Sequence, residues 1–290
     1  MKKVFFLALM LVLGVTQLDA RKIDALLIGH KGTKEKGTKD KGTKESARAH
    51  HADVMRMKAL LASYAKQHGM ALDCTVLENK KASLKHILQW KAKKQTPFAR
   101  DIRFIYYSGG ISEKENSSAR NLASITLSGK KKKREVSPSF LTSVLMHKVR
   151  PNLSIVLFDC YNKVEKLSHF PFVKAGEPFI FEKGSKELFG RHTGHLFAIG
   201  SRASGPQYGI ECGKECGGLF TLFLSQNMLH TKDLFSENMQ MLSWKRLLQK
   251  VGSDCAYFKE GNGSDKVLRQ HIFYDDRFAM LHVDRMALHM

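Results

Sequence analysis

Residues 103–112 read Arg-Phe-Ile-Tyr-Tyr-Ser-Gly-Gly-Ile-Ser, an apolar run that stops at a Ser-Gly-Gly turn. A second run, Leu153 to Phe158 (LSIVLF), stops at Asp159-Cys160-Tyr161. Short continuous apolar runs ended by glycine or polar residues fit strands buried on both faces, as in a parallel sheet. In such sheets ligands gather beyond the carboxyl ends of the strands. Cys160, just past an apolar strand with Asp159, Tyr161 and Asn162 around it, therefore stands where a nucleophile would. The tip of the first turn, Gly109-Gly110, carries no side chain able to do chemistry.

Working outward from these two strands, the chain alternates strand and helix patterns. Ile23 to Ile28, ended by Gly29, predicts a first strand. Val54, Met57, Leu61 and Tyr64 recur at helical spacing within residues 46–68, with Gly69 as the C-cap. Leu72, Cys74 and Val76 alternate as a strand, placing Cys74 inward as a plain buried thiol. Leu84, Ile87 and Leu88 predict a helix that stops near Pro97. Ser137-Pro138 is a helix start, with Phe140, Leu141, Val144 and Leu145 on one face. His195 to Gly200 predicts a fifth strand, Gly217-Gly218 opens a helix, and Asp233 caps a last one ending near Gly252. Gln270 to Leu281 adds a final strand. This order predicts one doubly wound α/β domain, about six mostly parallel strands flanked by helices.

The ends and the loops read differently. Lys2 and Lys3 precede an apolar run, Val4 to Val15, and a small residue, Ala20, where a signal peptidase could cut. The run is shorter than the roughly 20 residues a bilayer span needs, so residues 1–20 read as a signal peptide and the mature chain as exported. Residues 31–46 hold a pentapeptide repeat, KGTKEKGTKDKGTKES, whose composition predicts a solvated loop. The 290-residue chain is 43% hydrophobic, enough for one large core, and carries 48 Lys plus Arg against 27 Asp plus Glu. A net charge of +21 implies attraction to anionic partners, acidic protein included. The basic residues are not interleaved with aromatics in the manner of a nucleic-acid motif, and Lys130 to Arg134 reads as a solvated loop. Five cysteines leave at least one unpaired. Cys212 and Cys216 could close a small loop, but their spacing has no second pair or nearby histidine to suggest a metal, and no cofactor is expected.

The two strand ends resemble the caspase and metacaspase-like cysteine peptidases. That family has a strand ending in Tyr-Ser-Gly-His-Gly and a later one ending in Asp-x-Cys-(His/Tyr)-Ser-Gly. YYSGGI (Tyr106 to Ile111) and FDCYNK (Phe158 to Lys163) are similar to these. IGSRASGPQYG (Ile199 to Gly209) resembles the family's Ser-Arg-Ala-x-Gln-x-Tyr strand end, GGLFTLFL (Gly217 to Leu224) its Gly-x-Phe-Thr helix start, and DALLIG (Asp24 to Gly29) its first strand. The pieces span most of residues 22–230 in the family's order. The resemblance implies a caspase-like domain with Cys160 as nucleophile. It also implies substrate-binding positions at Asp159, Ser201, Arg202 and Gln207, and a peptide or protein as substrate or partner.

One position breaks the pattern: the family histidine falls on Gly110 and the oxyanion-hole glycine on Ile111. If the turn is one residue short, Gly110 takes the oxyanion role instead. Either alignment leaves no histidine, so peptidase activity is expected to be weak or absent. Asp159 beside Cys160 should raise the thiol pKa by like-charge repulsion, and a β-branched Ile111 would strain a turn that needs positive φ. His30, just after the first strand, is the nearest substitute base by sequence order, with His192 and His195 behind it. Three readings follow. The chain is an endopeptidase with an unusual dyad, in which Lys163 to Arg191 is a self-processing linker; or a pseudopeptidase that binds partners; or an exported basic domain that binds anionic surfaces.

Overall fold

The computed structural model describes residues 21–30, 41–94, 101–112, 124–129, 134–147, 151–161, 163–169, 171–174, 177–182, 185–190, 192–200, 208–212, 214–231, 242–259, 267–268, 270 and 273–275. In chain order the strands are β1 (Lys22–His30), β2 (Ala71–Glu78), β3 (Ile102–Gly109), β4 (Ile111–Ser112), β5 (Ser124–Leu127), β6 (Arg134–Val136) and β7 (Leu153–Cys160). They continue with β8 (Lys163–Lys166), β9 (Gly194–Ile199), β10 (Tyr208–Cys212), β11 (Glu215–Gly218), β12 (Phe258–Lys259), β13 (Val267–Leu268) and β14 (Phe273–Asp275). The helices are α1 (Lys41–Gln67), α2 (Leu84–Lys93), α3 (Pro138–Met146), α4 (Lys186–Gly190), α5 (Leu219–Leu229) and α6 (Trp244–Ala256).

The main sheet has six strands in the order β14-β9-β7-β3-β1-β2. Five run parallel, and β14 closes the edge antiparallel to β9. The α/β expectation holds, and the reason is visible in β3 and β7: every residue of both strands is buried, so an uninterrupted apolar run is what two covered faces require. Side chains of β1, β3 and β7 alternate between two cores. Ala25, Leu27, Phe104, Tyr106, Ile155 and Leu157 pack with α1, α5 and α6. Leu26, Ile28, Ile105, Tyr107, Val156 and Phe158 pack with α2, α3 and the small β4-β5-β6 sheet. Because β2 and β3 flank β1 on opposite sides, the strand order reverses there, and the crevice of a doubly wound sheet opens at the carboxyl ends of β1 and β3.

Several boundaries moved, each for a local reason. Helix α1 begins at Lys41, inside the stretch read as a loop: the last pentapeptide copy continues the hydrogen-bonded helix of residues 46–67. Residues 31–40 lie outside the described residues, as does Asp233; α6 is capped instead by Ser243, whose Oγ accepts from the Arg246 amide at 3.3 Å. It also runs through Gly252 to Ala256. Gly69 does take a left-handed φ of 66° at the end of α1, and Ser137 caps α3 with Pro138 in its first turn. On α3 only Leu141 and Leu145 of the expected face are buried, while Phe140 is 49% exposed; on α2 Ile87 and Trp90 point inward and Leu88 is 42% exposed. The polar stretch 163–191 is not a loose linker. It contains β8 and α4, and buries Leu167, Phe172, Phe179, Phe181, Leu188 and Phe189 in the α1-side core.

Candidate active site

Register fixes which residues share the strand-end row. His30 pairs with Gly109, and Gly109 with Cys160, across three adjacent parallel strands. Paired positions in neighbouring strands point to one face, so His30 and Cys160 start on the same side, two strand spacings or about 10 Å apart. Between them Gly109 offers nothing, and a Cβ there would overlap the Tyr107 hydroxyl. That hydroxyl donates to the carbonyl oxygens of Gly110 (3.1 Å) and Thr126 (2.8 Å), closing the strand end against β5.

Cys160 is fully buried in the core with Tyr107 and Phe158. Burial, and then the neighbouring Asp159, push its thiol well above the ordinary cysteine pKa. An ordinary thiol is only a few per cent thiolate near pH 7, and this one is less ionised still. The expected effect of Asp159 is therefore present, second to burial. The two chain neighbours of Cys160 are held on the opposite face. Asp159 Oδ2 accepts from the Thr221 amide (2.9 Å) and hydroxyl (2.5 Å) at the start of α5, and the Tyr161 hydroxyl donates to Asp53 on α1 (3.0 Å). Asp159 is thus turned into the fold, where its carboxyl group holds the first turn of α5.

His30 is buried and lines a cavity of about 250 Å³ with Arg48, His50, His51 and Glu78, and Cys160 is not part of that lining. His195 pairs with Ser154, six positions before Cys160 along β7, about 20 Å toward the other end of the sheet. His192 Nε2 engages the Leu242 carbonyl oxygen at 3.0 Å. At the turn, Gly110 and Ile111 are not among the described residues with positive φ, which are Asn79, Gly69 and Gly194, so Ile111 is not strained in that way. The Gly110 carbonyl accepts from the Thr126 amide at 3.2 Å, and Ile111 pairs with Ile125. By the alternation of an antiparallel ladder, the Ile111 amide then points away from β5. Ser201, Arg202 and Gln207 lie outside the described residues.

Residues the sequence reading did not single out make up the polar centre of the α1 face. His50 Nδ1 lies 2.9 Å from Ser108 Oγ, which donates to Asp53 Oδ2 at 2.9 Å. The Gly218 amide donates to both Asp53 oxygens, at 2.9 and 3.0 Å. Ser108 has one proton; given to Asp53, it leaves His50 Nδ1–H as the donor to Ser108. That is the reverse of a nucleophile–base pair, in which the serine proton goes to the imidazole. Burial, with His30 nearby, lowers the His50 pKa to about 3, so the ring is neutral at physiological pH. Asp53 is raised well above the usual carboxylate range by burial and by Asp159; Asp159 itself is raised to about 6, mainly by burial. The cluster ties α1 to the ends of β3 and β7 and to the start of α5. The signal was there: His50 and Asp53 extend the spacing of Val54, Met57, Leu61 and Tyr64 by one more turn.

Cys212 and Cys216 are free thiols, like Cys74, Cys160 and Cys255. In the β10–β11 hairpin Cys216 pairs with Glu211, so Cys212 points to the other face and the expected small loop is not closed.

No protein-family model matches the chain, and no curated protein matches it. Among solved structures it is similar to the crystal structure of caspase-1 from Spodoptera frugiperda, at 12% identity and a TM-score of 0.46, over 89% of this chain and 88% of that one.

Proposed function

We propose that this protein is a caspase-type pseudopeptidase: it keeps a peptidase-like strand-end crevice and binds protein partners without cleaving them efficiently. The observation that carries the reading is Cys160 itself, at the nucleophile's strand end but fully buried, with glycine where the family motif has histidine. Two requirements of a cysteine nucleophile are unmet together, a raised thiolate fraction and an acid to protonate the leaving amine. The basic balance of the chain favours acidic partners. The charged and apolar pattern of residues 1–20 favours an encounter outside the cytoplasm.

The test compares the native chain with Cys160→Ala and Gly110→His on Arg- and Lys-terminated fluorogenic peptides. Native turnover should equal the Cys160→Ala background. Turnover that disappears in Cys160→Ala would overturn the proposal, and its loss in His30→Ala would identify the substitute base. A gain in Gly110→His, within the roughly 10²- to 10⁴-fold that acid–base help supplies, would make the missing imidazole the only obstacle. Continued silence would add the buried thiol as a second.

A further inference from the structure

Helix α2 turns Ile87 and Trp90 into the core and packs the partly buried Leu84 against it; Leu88 and Ala92 continue the row from Leu84, one turn apart. Leu88 is 42% exposed and Ala92 is exposed. The row forms one side of a groove of about 540 Å³, completed by Lys85, Gln89 and, from β6, Arg134. Its rim is of one sign. Helix α2 has no acidic residue, and the two charged side chains in the lining are Lys85 and Arg134. The nearby acid Glu135 alternates with Arg134 and Val136 along β6 and so faces the other side of that strand.

We propose that this groove docks an acidic amphipathic segment of a protein partner, apolar side chains against Leu84, Leu88 and Ala92 and carboxylates against Lys85 and Arg134. Charge complementarity selects the occupant: a second copy of this chain, at +21, would be repelled. An apolar row lying between two cations suits one face of an amphipathic helix, which carries apolar side chains and carboxylates together. The site is separate from the strand-end crevice and stands whether or not Cys160 cleaves peptides.

The test is fluorescence anisotropy of the full chain with a labelled helical peptide carrying a leucine row flanked by glutamates. Its control is a peptide of the same composition with the leucines scattered. The native chain should bind the first peptide at least about tenfold more tightly than the second. Leu88→Asp and, separately, Arg134→Glu should each weaken binding about tenfold, with unchanged circular dichroism because both side chains are exposed; Ala92→Glu is a second probe of the same wall. Equal binding of both peptides, or indifference to Leu88→Asp, would reduce the contact to unspecific charge attraction and overturn the proposal. Capture on anionic lipid vesicles that is lost in Leu88→Asp, without peptide binding, would reassign the face to membranes.

Discussion

Cys160 sits between two residues whose side chains are fixed by partners, and that decides its own fate. Asp159 and Tyr161 are anchored to Thr221 and Asp53 on the α1 face, so strand alternation drives the thiol into the opposite core. Burial, with Asp159 beside it, holds the thiol in its neutral form. Alkylation of the native chain at neutral pH should accordingly label the half-buried Cys74 and Cys212 first, and leave Cys160 and Cys255 unlabelled until urea is added. Peptide mapping by mass spectrometry reads the order. Early labelling of Cys160 would contradict the burial described above.

Between residue and fold, the 163–191 stretch shows how an element can hide in polar sequence. Its lysines are spread among phenylalanines that each find a pocket. The Phe181 ring meets Tyr64 edge-on at 5.2 Å, the Phe181 amide donates to Gln67 Oε1 at 3.0 Å, and the Tyr64 hydroxyl donates to the Ser185 and Lys186 carbonyls. Truncating a core phenylalanine costs about 3–5 kcal/mol, so Phe181→Ala should lower the unfolding free energy by that much, measured by urea titration. A self-processing linker would tolerate the change. No periodicity marks this stretch, because its contacts are made one side chain at a time against α1 rather than along a regular face. Strands such as β3 and β7, by contrast, were legible: both faces are buried, so composition alone reveals them.

At the scale of the whole molecule, the buried pair Asp53 and Asp159 joins both halves of the sheet to α1 and α5. The folded-state pKa of Asp159, about 6, lies above its ordinary value of 3.8, so the fold prefers the protonated form. The stability it contributes is complete below the unfolded pKa near 4 and is lost as pH rises through about 6. Asp159→Asn, which cannot ionise, should lose less stability than the native chain between pH 4 and pH 7. The difference is on the order of 3 kcal/mol by chemical denaturation at each pH. Equal slopes would mean that the pair does not share this strain. The same pair also shows where sequence reading stops. The order of apolar runs determined the parallel sheet, and the spacing of two strand-end motifs determined which positions stand at its carboxyl edge, because both follow from short-range pattern. Which face each side chain takes, that Asp159 caps α5, that His50 meets Ser108 across a helix and a strand, and that Cys160 is sealed in the core were decided only by tertiary structure. Those outcomes depend on partners far apart in the chain, and a strand end offers each residue two faces whose occupants no local pattern names.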